Sequence, residues 1–212
     1  MSQIGVIGSG TVAQVLAKGF HSAGHSVRIG SRDPAKLAAF SAETGIATGT
    51  FEDVAAGAEL IVFAVKGTAA ESLAKQLAAQ FAGKVVIDTN NPIADLPPVG
   101  GILQYFTAAN ESLIERLQAA VPTAKFVKAW SCVGNAFMIH PKFAGGQPTM
   151  FIAGDDAAAK ETVTAILRGF GWDVEDVGGA VGGRAIEPLC QLWCAPGMQR
   201  GQWAHAFALL RA

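Results

Sequence analysis

Apolar positions along the chain come in short runs whose spacing switches between two periods. Residues 4–7, Ile-Gly-Val-Ile, form a compact strand-like run, and apolar residues over 11–22 recur at helical spacing. The alternation continues with a strand over 26–29, a helix over 34–44 with Pro34 near its first turn, and a short third strand over 45–47. Residues 60–65 predict the fourth and most buried strand, 68–80 an Ala/Leu-rich helix, and 84–88 the fifth strand. Between Asn90 and Gly101 three prolines and two glycines break the period and mark a loop of functional length. A helix over 110–120 and a strand over 125–129 follow, so the sheet has at least six strands. The pattern then runs on through a strand over 149–153, a helix over 155–168 and a strand over 173–177. Strands alternating with helices predict βαβ units on a mostly parallel sheet.

The tail differs. From Ala180 onward Leu189, Leu192, Trp193, Met198, Trp203, Phe207 and Leu210 place apolar groups on more than one face, with Pro188 and Pro196-Gly197 as interruptions. A helix apolar all round is buried, so residues 179–212 are expected to be a helical segment packed on the same domain or on a second subunit of a homodimer.

Composition narrows the class. With 212 residues, 50% hydrophobic and 16% charged, the chain is far from a disordered composition and long enough to bury one main core. A net charge of −1 with scattered basic residues leaves no footprint for nucleic acid. The run Leu60 to Val65 is far short of the roughly 20 apolar residues that span a bilayer. Met1-Ser2-Gln3 leads straight into a strand without a basic leader, and a cytoplasmic location is expected. Three cysteines, Cys132, Cys190 and Cys194, are an odd set without zinc-like spacing, and read as buried thiols.

The chemistry starts at Gly8-Ser9-Gly10-Thr11-Val12-Ala13, directly after the first strand and at the mouth of the first helix. Gly8 permits a tight turn, Gly10 lets backbone approach a pyrophosphate, and Ala13 lets helix and strand pack closely, while the first-turn N–H groups face the anion. At the tip of the second strand an NAD site has an acidic residue for the ribose 2′-hydroxyl; here stand Ser31 and Arg32. A guanidinium fork matches phosphate oxygens, a serine adds a hydroxyl, and Lys36 one turn on adds a third donor, so the expected ligand is NADP(H). The expected architecture is α/β: a Rossmann-type, doubly wound, mostly parallel sheet over residues 1–178, with a small helical C-terminal portion. No Ser-His-Asp set, HExxH, CxxC or carboxylate pair is evident, which fits hydride transfer between rings without a dedicated acid or base. Cys132 as a nucleophile and His140 as a donor are the lesser alternatives.

The stretches IGVIGSGTVAQVLAKGFHSAGHSVRIGSRDP, VIDTNNP, KFVKAWSCVGNAF, MFIAGDDAAAKETV and GGAVGGRAIEPL, in order along nearly the whole chain, resemble the NADPH-dependent coenzyme F420 (deazaflavin) reductase family. The reductase domains of the STEAP metalloreductases look like relatives. The resemblance implies hydride transfer between nicotinamide C4 and a deazaflavin (F420) or flavin-type ring. It implies pyrophosphate contacts from Gly8, Ser9, Gly10, Thr11 and Val12, and 2′-phosphate contacts from Ser31 and Arg32. Val65 and Lys66 fall near the adenosine or ribose, Asn90, Asn91 and Pro92 near nicotinamide, and Trp130, Ser131 and Asn135 along the pocket for the second ring. The resemblance leads one to expect, in archaeal deazaflavin users, a histidine about where Ser131 stands, so F420, FMN, FAD, an iron chelate or another acceptor all remain open. A module that binds NADP(H) as a sensor without turnover is the alternative from another class.

Overall fold

A computed structural model describes residues 2–212. Six strands, β1 (Gln3–Ile7), β2 (Ser26–Gly30), β3 (Ala47–Gly49), β4 (Leu60–Phe63), β5 (Val85–Asp88) and β6 (Lys125–Lys128), form one sheet in the order β3-β2-β1-β4-β5-β6. Every pairing within it is parallel, with Ile4 between Val27 and Leu60, and Val62 beside Ile87. The order reverses between β1 and β4, and in open sheets of this kind ligands bind at the carboxyl edge over that switch point.

The helices are α1 (Thr11–Ser22), α2 (Ala38–Thr44), α3 (Phe51–Ala56), α4 (Gly67–Gln76), α5 (Ala78–Phe81), α6 (Leu113–Ala120), α7 (Ala157–Gly169), α8 (Gly183–Ile186) and α9 (Pro188–Arg200). They cover both faces. Val6, Val62, Ile87 and Val127 point toward Leu16 and Phe20 of α1, while Ile7, Ile61, Val86 and Phe126 point toward Val54 of α3, Leu73 of α4 and Leu117 of α6. Neighbours along each strand therefore feed opposite cores, and this two-sided burial is why the strands read as unbroken apolar runs.

Several boundaries differ from expectation, each for a local reason. The third strand lies two residues later than expected because Gly45 adopts φ 72° and ends α2 in the left-handed region. The helix expected over 34–44 opens as a 3₁₀ turn, Pro34–Leu37, under an Asp33 cap, and the one over 68–80 is divided at Leu77. Helix α3 had no periodic signal at six residues, although Thr50 caps it by accepting from the Asp53 N–H at 3.1 Å. Strands β7 (Thr149–Ile152) and β8 (Asp173–Asp176) form a separate parallel pair, linked to the main sheet by an antiparallel bridge between Lys128 and Ala153.

The C-terminal segment is helical only as far as Arg200. Pro196 lies inside α9 rather than interrupting it, Gly201 turns the chain at φ 69°, and the chain beyond, neither helix nor strand, reaches the start of β7. There the Thr149 N–H donates to the Phe207 carbonyl at 2.9 Å and the Leu209 N–H to Thr149 Oγ1 at 3.0 Å. Among the described residues no helix is long and apolar enough to cross a membrane, and no cluster of three or more metal-binding side chains occurs.

Candidate functional site

The turn after β1 is built around two different glycines. Gly8 has φ +142°, and a Cβ there would stand 2.0 Å from the Ala64 carbonyl oxygen, so only glycine lets β1 and β4 lie this close. Gly10 is the N-cap of α1 with φ −77°, and a Cβ there would meet nothing within 4 Å. No side chain caps the helix. Its amino end is therefore open backbone beneath free space, the arrangement that suits a pyrophosphate. Ser9 is held by its carbonyl, which accepts from Gln14 Nε2 at 2.9 Å; Thr11 is exposed and Val12 half-buried.

At the tip of β2, Ser31 is buried, its N–H bonded to the Gly49 carbonyl and its Oγ accepting from the Asp33 N–H at 3.2 Å. The Asp33 carboxylate is engaged with the Ala35 N–H at 3.2 Å as a helix cap. It does not neutralise Arg32. Arg32 and Lys36 are both exposed, and among the described residues neither enters an ion pair. Arg32 thus directly follows a buried serine whose hydroxyl has no recorded acceptor among the described residues, and Lys36 is exposed in the 3₁₀ turn that comes next.

A cleft of about 350 Å³ runs along the carboxyl edge, lined by Val12, Val65, Lys66, Asn90, Asn91 and Asp95 among others. Its walls are tied across strands. The Val65 N–H donates to Asn90 Oδ1 at 2.8 Å, and Asn91 Nδ2 donates to the Ser131 carbonyl at 2.8 Å. The Pro92 carbonyl accepts from the Phe106 N–H at 2.9 Å, folding the loop after β5 back on itself. Lys66 pairs with Asp95 at 2.5 Å across the rim, both side chains largely exposed.

The stretch after β6 is sealed more deeply than its sequence suggested. Trp130, at φ 55°, sends its indole into the core, where Nε1 donates to the Met138 carbonyl at 3.1 Å and the ring packs edge-on against Phe20. The indole is therefore a packing group and does not line the cleft. Asn135 begins a short 3₁₀ turn, half-buried and apart from the cleft lining. Ser131 is buried with an unpartnered Oγ, next to an Asn91 Oδ1 that also lacks a partner. The Trp193 ring covers Gly134, where a Cβ would come within 2.6 Å of it. Burial pushes the Cys132 thiol up to about 12, so it is held protonated rather than poised as a nucleophile. His140 is exposed, and His205 is a packed histidine, stacked on Trp193 at 5.0 Å with Nε2 at 2.9 Å from the Trp193 carbonyl.

Sequence reasoning missed a group behind the cleft. Lys128 at the end of β6 is fully buried, pairing with Asp88 at 2.6 Å and Glu187 at 2.9 Å and donating to the Asn90 carbonyl at 2.6 Å. Burial acts to lower the Lys128 pKa, but the Asp88 and Glu187 carboxylates outweigh it and hold the ammonium above the ordinary lysine value. The only signal in the sequence was a lysine closing the apolar run Phe126-Val127.

Residues 3–92 match the family described as NADP oxidoreductase, coenzyme F420-dependent. Over 187 residues, 88% of this chain, the sequence is 29% identical to metalloreductase STEAP3 of Rattus norvegicus, and the match spans 36% of that protein's length. The fold superposes on a candidate F420-dependent NADP reductase from Arthrobacter sp. FB24 with a TM-score of 0.93 and 33% identity, covering 100% of both chains. A hypothetical protein from Sinorhizobium meliloti, SMa0349, shares the fold at a TM-score of 0.74 and 23% identity over 100% of this chain and 97% of that one. The matching family model and the 33% identity over the whole of both chains show that the chain belongs to the family of coenzyme F420-dependent NADP oxidoreductases.

Proposed function

We propose that the protein is an NADP(H)-dependent reductase that passes a hydride between nicotinamide and a deazaflavin (F420) or flavin-type ring. In this reading Gly8, Ser9, Gly10, Thr11 and Val12 cradle the pyrophosphate. Ser31, Arg32 and Lys36 clamp the 2′-phosphate. Val65 and Lys66 face the ribose, with Lys66 exchanging Asp95 for the ligand, while Asn90, Asn91 and Pro92 border the nicotinamide and Ser131 closes the far wall. NADPH supplies the hydride. The chain's own residues bind, orient and exclude water, which is the larger part of catalysis when two rings react directly. We also propose a homodimer formed through the C-terminal segment.

The observation that carries the reading is the pair of exposed cations, Arg32 and Lys36, left without an acidic partner beside Ser31. Titration calorimetry tests it. NADPH should bind well above NADH, and Arg32→Ala or Ser31→Asp should weaken NADPH about tenfold or more while changing NADH little. No preference for NADPH in the parent protein would overturn the assignment. Loss of 340 nm absorbance with F420, FMN, FAD and ferric chelates offered in turn identifies the acceptor. Binding without oxidation of NADPH by any of them would favour a sensor instead.

A further inference from the structure

The cluster of Asp88, Lys128 and Glu187 sits sealed behind the cleft, with two acidic side chains around one lysine. Lys128 Nζ donates to the Asn90 carbonyl at 2.6 Å and forms ion pairs with Asp88 Oδ2 at 2.6 Å and Glu187 Oε1 at 2.9 Å. Every other group facing the two carboxylates is a donor. Asp88 Oδ1 accepts from the Asn90 N–H at 3.0 Å and from Asn90 Nδ2 at 2.8 Å. Glu187 accepts from the Leu113 N–H at 2.8 Å and the Ile114 N–H at 3.0 Å. Burial pushes the Asp88 carboxyl up, Lys128 and the Asn90 N–H groups act against it, and two acidic side chains here face one lysine. The amino end of α6 offsets about half a unit of the acidic excess.

This charge lies one residue from the cleft. Asn90 is bonded to both Asp88 and Lys128, lines the cleft, and holds the Val65 N–H with its side-chain oxygen. We infer that the buried cluster sets a fixed negative potential behind the strand ends that receive nicotinamide, favouring the ring as the NADP⁺ cation over neutral NADPH. The inference rests on the NADP(H) reading above. When hydride departs to the acceptor ring with both electrons of the C4–H bond, it leaves positive charge behind. A preorganised negative potential stabilises that charge as it forms. Glu187, Asp88 and Lys128 act through Asn90 and through space, and are positioning residues rather than catalytic ones.

The test compares Glu187→Gln and Asp88→Asn, both nearly isosteric, by calorimetry with NADP⁺, NADPH and 2′,5′-ADP. The ratio of the NADP⁺ Kd to the NADPH Kd should rise about threefold or more in each variant, since each removes one acidic charge from behind the ring site. The fragment 2′,5′-ADP lacks nicotinamide and should keep its affinity within about twofold; a merely structural role would leave the ratio unmoved. A constant ratio in folded variants overturns the inference. If a variant loses its far-UV circular dichroism, the parent decides: NADPH bound more tightly than NADP⁺ overturns it. A parent that binds none of the three ligands overturns the NADP(H) reading, and this inference with it.

Discussion

The two glycines of the turn after β1 show how one residue type can serve two different ends. At Gly8 the backbone angle and the Ala64 carbonyl exclude any side chain. At Gly10 the angle is ordinary and the space is empty. Gly8→Ala should therefore cost stability, about 2–4 kcal/mol from positive-φ strain and displaced backbone, read from the urea midpoint. Gly10→Ala should leave that midpoint within about 0.5 kcal/mol and instead weaken NADPH, because the new methyl occupies the approach to the open N–H groups. Equal stability losses at the two positions would refute the distinction. Trp130 makes the complementary point. An aromatic beside a pocket motif can stack on a ring or close the core below the sheet, with core packing favoured, and its indole N–H is satisfied by a core carbonyl while its ring is packed against Phe20.

Elements held by local rules were legible, and elements held by distant partners were not. β1, α1 and β2 follow from period, glycine spacing and turn chemistry, and the structure has them almost residue for residue. The start of α6 does not. Its helix opens at Leu113 because Ser112 caps it and the Glu187 carboxylate, distant in sequence, takes its first free N–H groups. The same distance hid the role of Lys128, since a lysine ending a strand ordinarily reaches solvent. The α9 segment is likewise fixed by what folds back on it. Trp193 Nε1 donates to the His205 carbonyl at 2.8 Å, its ring stacks on His205 and lies 5.6 Å from Trp203, and its far edge covers Gly134. Trp193→Ala should cost about 3–5 kcal/mol, a fall in Tm of about 10 °C. It should also loosen the tail along β7, seen as faster amide exchange at Leu209. A Tm within 2 °C of the parent, on the order of 0.5 kcal/mol, would show that α9 is held by the sheet rather than by its own tail.

At the scale of the whole molecule, the sheet consumes nearly all its apolar surface in two cores, while the C-terminal side does not. Leu192, Met198 and Trp203 remain 59%, 45% and 42% exposed, and Val99 of the loop after β5 is 66% exposed. Gln191 Nε2 donates to the Leu103 carbonyl at 2.7 Å and Gln199 Nε2 to the Gly100 carbonyl at 3.0 Å, tying the loop to α9. Contiguous apolar surface beyond a few hundred Å² marks an interaction site on a folded protein. A net charge of −1 gives little repulsion to oppose self-association. A second copy of this chain is the occupant proposed, with the loop beside the cleft then sandwiched between subunits. Light scattering at micromolar concentration should report the mass of two chains. The double variant Leu192→Glu, Met198→Glu should report one, with its far-UV circular dichroism retained because both side chains already face water. If the parent is monomeric across that range, this surface has another use. NADPH affinity should then be the same at any protein concentration, whereas a dimer that braces the loop makes that affinity rise as subunits associate.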